Sequence, residues 1–236
     1  MKEKHRFSLR NKLMIVFGAL IFVVGTILTL IALRTARKAV TEKVETHLID
    51  KATDTAEILD GRVTAFFQFL EGIARMPALY DSSYSYSEKI SLLQKEATFN
   101  DRIKELNITD KNGNFHYAGG SIRVNDREWF QKALSGKRFV TEPYIEREAG
   151  TLVTTFAIPV FDSAHTIIGV LSADIKGLQL SEYISDIVVG KTGGCYIIDA
   201  MGTVIAHKLE SLVKEKANAQ EKAKTDKSRV SLAAFE

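Results

Sequence analysis

The chain is 236 residues long, 45% hydrophobic and 26% charged, which is the balance of a folded protein with room for one or two domains. Its one cysteine excludes a disulfide framework and a cysteine-rich metal site. The net charge of +3 is concentrated at the start: residues 1–12 carry Lys2, Lys4, Arg6, Arg10 and Lys12 against Glu3, a net of +4, leaving −1 for the remainder, which therefore lacks the basic surface of a nucleic-acid binder.

Residues 13–33, LMIVFGALIFVVGTILTLIAL, hold no charge. As a helix they cover roughly 30 Å, the hydrocarbon thickness of a bilayer. A secretory signal peptide is the competing assignment, but its apolar stretch is shorter, about 7–15 residues, and ends in a small-residue cleavage site. Here the run is longer and TARKAVTEKVETHL continues it as helix. An uncleaved transmembrane anchor is expected, with basic residues 1–12 in the cytoplasm and the chain after it outside.

From residue 35 to about 79, Gly and Pro occur only at Gly61, Gly72 and Pro77. Val40, Val44, His47, Ile49, Ala52, Ala56 and Ile58 follow a helical period, and Val63, Phe66, Phe67, Leu70, Ile73 and Met76 continue it. The pattern predicts one long helix: its first half has a thin apolar stripe suited to a partner helix, its second half the bulk to lie on a sheet. Pro77 and DSSYSYSEK end it, and Ser85 or Ser87 can cap a short helix to about residue 98.

The period then changes. Residues 103–109 and 115–117 flank the turn DKNG and predict a hairpin. A helix is predicted at 126–134, capped by Asn125 or Asp126. Strands are predicted at 139–145, 151–161 and 166–174, with loops short enough for antiparallel neighbours. Another helix is predicted at 178–188. Residues 194–207 then repeat the strand, glycine turn and strand of 103–117, as if a second copy of one module begins. The tail from 208 is polar and helix-forming, too short to bury a second module.

Enzyme signatures are missing from the sequence. The histidines at 5, 47, 116, 165 and 207 form no HExxH or i, i+4 pair, and there is no GxSxG elbow or P-loop. No catalytic residue, metal site or cofactor is expected.

The phrases DREWFQKALSGK (126–137), FVTEPYI, TTFAIPVFD, IIGVLSADI and GKTGGCYIIDAMGTVIAH together resemble the double Cache sensor domain of bacterial methyl-accepting chemotaxis receptors. With the anchor and long helix in the same order, the resemblance covers about residues 10–207. Sensor histidine kinases and cyclases use similar outer domains, and a non-signalling truncated membrane protein is a further alternative. The resemblance implies an α+β fold: a transmembrane helix (13–33) after a basic cytoplasmic segment (1–12), then a long helix with a PAS-like antiparallel module (34–187). An incomplete second module follows (188–236), stopping before the family's return span and signalling parts. It also implies an inner-membrane location, an extracytoplasmic sensor, a homodimer and a small-molecule ligand.

Amino-acid-binding members of the family pair an Arg-x-Trp-Tyr segment with a later Asp. Arg127, Trp129 and Phe130 match the segment, with Phe in place of Tyr, and Asp174 matches the acid. A guanidinium grips an α-carboxylate through two parallel hydrogen bonds, and a carboxylate pairs with an α-ammonium. The family's further aromatic hydroxyl falls near Ile122, which cannot serve; Tyr117 or Tyr144 could stand in. An amino acid is the favoured ligand; an organic acid, an amine or no direct ligand are the alternatives. Taken singly, Arg127 could sit at a helix start or pair with Asp126 or Glu128. Trp129 and Phe130 could be core, Tyr144 an ordinary strand residue and Asp174 a cap.

Overall fold

The computed structural model describes residues 9–225 apart from 118, 147–149, 186 and 190–192. The first element is a 66-residue helix, α1 (Leu9–Ala74). Chain contacts divide the protein into two units, Met1–Asp60 and Gly61–Glu236.

In the first unit the side chains of residues 13–33 are all exposed. Among the described residues, α1 is the one helix long and apolar enough to cross a membrane. Its hydroxyls fit that use: Thr26 donates to the Phe22 carbonyl and Thr29 to that of Gly25, each at 2.8 Å, so neither seeks water.

In the second unit α1 stops at Ala74, short of residue 79. Met76 is extended, and Pro77 opens a separate turn, α2 (Pro77–Tyr80), where its missing N–H has no helical partner to lose. Ser85, not Ser87, caps α3 (Tyr86–Ala97). Its hydroxyl accepts from the Glu88 N–H, and the Glu88 carboxylate accepts from the Ser85 N–H at 2.7 Å.

The hairpin β1 (Ile103–Asp110) and β2 (Asn114–Tyr117) turns as expected. Asp110 Oδ1 accepts from the N–H groups of Asn112 and Asn114, and Gly113 takes the positive φ of +82° that closes the turn. Asp199 accepts from Met201 and Thr203 in the same way, so the repeat extends to the turn's hydrogen bonds. An additional strand, β3 (Gly120–Arg123), pairs with β2. The next helix, α4 (Glu128–Leu134), begins two residues later than predicted.

The strand predicted at 139–145 is two short ones, β4 (Phe139–Val140) and β5 (Tyr144–Ile145). Pro143 cannot donate to a ladder. Between them, the Thr141 hydroxyl accepts the Thr155 N–H at 2.9 Å in place of a backbone carbonyl. The long strands β6 (Leu152–Phe161) and β7 (Ile167–Lys176) follow, then α5 (Gln179–Ile184), half the predicted length. The sheet is antiparallel in the order β3-β2-β1-β7-β6-β4, with β5 also on β6.

Beyond it, β8 (Val188–Val189) pairs with β9 (Gly193–Gly194), and β10 (Ile197–Ile198) with β11 (Val204–Ala206). Two helices follow, α6 (Glu210–Lys214) and α7 (Ala219–Thr225). Val204, Val213 and Ala217 make a small core there, with Leu152 and Leu178 against it.

The two faces of the main sheet carry different chemistry, and the period of two decides which residue goes where. Leu106, Ile108, Phe156, Ile158, Leu171 and Ala173 face one way and pack with Phe67, Leu70, Ile73 and Leu93 of α1 and α3. Their alternates face α4, where Ala157 and Val170 meet Val124, Trp129 and Phe130. Gly169 lies in the tight crossing of β7 and β1: a Cβ there would meet the Thr109 carbonyl oxygen, a backbone atom that cannot swing aside. Gly169→Ala should therefore cost about 1–3 kcal/mol and lower Tm by roughly 5 °C, measurable by thermal unfolding.

Candidate functional site

The α4 face of the sheet carries the polar residues singled out in the sequence. Arg127 is the N-cap of α4, with extended backbone (φ −82°, ψ 128°). Its N–H donates to the Val124 carbonyl at 2.9 Å, and its carbonyl accepts from Gln131 at 3.1 Å. Neither Asn125 nor Asp126 caps the helix, contrary to expectation. The cap position frees the Arg127 side chain from the helix surface. It is half-buried, with its guanidinium 5.6 Å from the centre of the Tyr144 ring. Among the described residues it forms no ion pair; Glu128 pairs with Lys132 instead, at 3.9 Å.

Arg127, Trp129, Tyr144 and Asp174 line one cavity of about 30 Å³, so four of the five residues singled out in the sequence come together. Phe130 is not among its lining residues. It is buried beside Trp129, rings edge to face at 6.1 Å, within the apolar cluster that holds α4 on the sheet. Tyr117 pairs with Gly120 and also does not line the cavity, whereas Ile122 does, as an apolar wall. A cavity of this size holds one or two waters. Arg127, Trp129 and Tyr144 also line a groove of about 580 Å³, and so form the partition between the two.

Asp174 is buried, with 8% of its surface exposed. Thr155, its register partner across β6 and β7, donates to it at 2.5 Å. A threonine hydroxyl has one proton to give. The 2.8 Å contact between Tyr144 and Thr155 is therefore donated by the tyrosine, and a relay runs from Tyr144 through Thr155 to Asp174. Burial pushes the Asp174 carboxyl up to about 6; the Thr155 bond opposes this, while Glu146 and Glu105 add to it.

Residue-by-residue reading missed Glu146. It lines the cavity, is buried, and is held by Lys104 and by the Thr151 hydroxyl. Its signal was there: it stands two residues after Tyr144 and so on the same side of an extended segment. Arg123 also lines the cavity. The site thus presents two guanidinium groups and two carboxylates around one small space. That arrangement complements a ligand carrying both charges and leaves a buried charge unpaired against a ligand with one.

The family profile described as dCache_1, a Cache domain, matches residues 32–233. The chain belongs to the Cache domain family. This Cache chain is 27% identical over 218 residues to the methyl-accepting chemotaxis protein TlpA of Bacillus subtilis, covering 86% of this chain and 31% of TlpA. It spans under a third of the length of the curated relatives it matches. Its Cache fold is shared with the ligand-binding domain of the Pseudomonas fluorescens chemoreceptor CtaA, solved in complex with L-isoleucine. That match has a TM-score of 0.64 at 22% identity and covers 81% of this chain and 79% of that one. The ligand-binding domain of the Pseudomonas aeruginosa amino acid chemoreceptor PctC, in complex with GABA, matches with a TM-score of 0.61 at 20% identity, covering 77% of this chain and 82% of that one.

Proposed function

We propose that this Cache domain senses a small amino acid, held as a zwitterion between Arg127 and Asp174, and that the chain is the sensing part of a methyl-accepting chemotaxis receptor. One observation carries the reading. A half-buried guanidinium that forms no ion pair among the described residues faces the same cavity as a buried carboxylate that forms none either, the nearby Lys104 being taken by Glu146. In the bound state Arg127 grips the α-carboxylate with its fork, Asp174 takes the α-ammonium, and the Trp129 indole donates from above. The names of the relatives and fold neighbours point the same way.

The small cavity requires an opening step. Arg127, Trp129 and Tyr144 part to admit the ligand from the groove and close on it. Closure favours one arrangement of the domain only through the ligand's higher affinity for that arrangement. Binding, not catalysis, is the chemistry assigned here. Residues 13–33 anchor the chain in the cytoplasmic membrane with the sensor outside, following the basic residues 1–12. A homodimer forms along residues 35–58, where Val40 and Val44 are exposed on one face of α1. Single cysteines at Val40 or Val44 should crosslink in membranes, and the absence of a dimer band at both would count against the pairing.

The test of the ligand is thermal unfolding of the full chain in detergent, screened with single amino acids, amines and organic acids. A ligand at 100 times its Kd adds about 2.7 kcal/mol of stability. A shift with an amino acid, lost in a folded Arg127→Ala variant, supports the zwitterion site. A shift with organic acids or amines alone refutes it.

A further inference from the structure

Three side chains on the floor of the α4 face, Asn107, Thr109 and Ser172, are 1%, 0% and 1% exposed. Both amide atoms of Asn107 and the hydroxyls of Thr109 and Ser172 lack a hydrogen-bond partner among the described residues. Their placement is fixed by register. Thr155, Asp174 and Glu105 form one row across β6, β7 and β1. The next row on the same face, two residues along and roughly 7 Å away, is Ala157, Ser172 and Asn107. The row after that contains Thr109 opposite Val170. Trp129 packs over the same face, in one cluster with Ala157 and Val170.

A buried amide with neither its donor nor its acceptor used is costly to the fold, and a serine opposite it in the same state adds to that cost. Both stand one row from the carboxylate that takes the ligand's ammonium. None of the row lines the cavity as it stands; a ligand's side chain reaches it through the same opening step that admits the ligand, beneath Trp129.

We propose that Asn107 and Ser172 form the subsite that reads the ligand's side chain, selecting amino acids that carry an uncharged hydrogen-bonding group, a carboxamide or hydroxyl, over aliphatic ones. This rests on the zwitterion reading above and adds the ligand class. The Asn107 amide presents a donor and an acceptor side by side, the complement of another primary amide. Ser172 donates or accepts as needed. An aliphatic side chain of the same shape leaves all three groups buried and unpaired, which is how a hydrogen-bonding site rejects an apolar isostere.

The experiment is calorimetric titration of the full chain in detergent with L-asparagine, L-glutamine and L-serine, against their isosteres L-leucine, L-homoleucine and L-2-aminobutyrate. The polar ligand should bind at least about 30-fold more tightly than its isostere. Asn107→Leu should weaken the polar ligand by a similar factor and leave the aliphatic one unchanged or tighter. Ser172→Ala, a smaller lesion, should narrow the preference if the leucine variant does not fold. Equal binding of asparagine and leucine by the unmodified chain, both lost in Arg127→Ala, overturns the side-chain subsite and keeps the zwitterion site. A floor that serves only water gives that same equality. Binding of no amino acid overturns both.

Discussion

Asp174→Asn will yield a protein that is more stable than the unmodified chain at pH 7 and no longer binds amino acids. The carboxyl of Asp174 titrates at about 6 in the fold against 3.8 ordinarily, mainly because it is buried. Between those values the folded state holds a proton that the unfolded state has released. Stability therefore falls as pH rises through this window and stays lower above it. Two units correspond to roughly 2–3 kcal/mol. Asparagine keeps the shape and still accepts from Thr155, but has no charge to desolvate. The variant should thus gain about 1–3 kcal/mol over the unmodified chain at pH 7.5, and the gain should all but vanish near pH 3, below both values, where Asp174 is protonated in the folded and the unfolded state. Urea unfolding at the two pH values measures this. The same carboxylate must be ionised to hold an ammonium. Affinity should accordingly fall toward tenfold per pH unit below about 6 in the unmodified chain. A stability difference that is flat with pH would show that Asp174 does not carry the shift. On the proposed reading, instability stored at this buried acid is the counterpart of binding, because a ligand's cation would complete the site.

Replacing Arg127 should have the opposite balance, a large loss of binding with little loss of fold. Its contact with the Tyr144 ring is worth about 0.5–1 kcal/mol at a partly exposed site, so Tm should change by no more than a few degrees. Removing it from the complex leaves the ligand's carboxylate beside Glu146 and Asp174 without the guanidinium that pairs with it. That situation costs about 2–5 kcal/mol, or roughly 30-fold to several thousandfold in Kd. Arg127→Lys separates charge from geometry. A lysine restores the charge but not the paired donors, and should recover only part of the loss, leaving Kd about 10-fold above that of the unmodified chain. Full recovery with lysine would mean that charge alone matters and that the fork is not used.

Much of this arrangement was legible in the sequence, for reasons that differ between residues. Period-two alternation in β6 and β7 sorts their side chains onto two faces, and the Asp-x-x-Gly turn pins the β1–β2 hairpin. The resemblance of 126–137 to a known sensor domain singled out Arg127 and Trp129, and the fold brings both to Tyr144 and Asp174. What stayed hidden depends on register across strands. Thr155 is a partner of Asp174, and Asn107 of Ser172, only because β6, β7 and β1 align as they do. Nothing local to Thr155 or Asn107 reveals that. The strand expected at 139–145 breaks in the fold because the β-favouring Phe139, Val140, Thr141, Tyr144 and Ile145 flank a proline: the Thr155 N–H goes to the Thr141 hydroxyl instead of a backbone carbonyl, and Pro143 has no N–H to continue the ladder. Phe130 matched a binding motif by position, yet its place in α4 puts it in the apolar cluster that holds the helix on the sheet.

The most direct measurement is a calorimetric comparison of the best-binding amino acid with two analogues, one lacking the α-amino group and one lacking the carboxylate. If Arg127 and Asp174 hold a zwitterion, only the intact amino acid binds well, and each analogue is weaker by about 100-fold or more because one buried charge loses its partner. Equal affinity for the intact amino acid and either analogue would contradict the account.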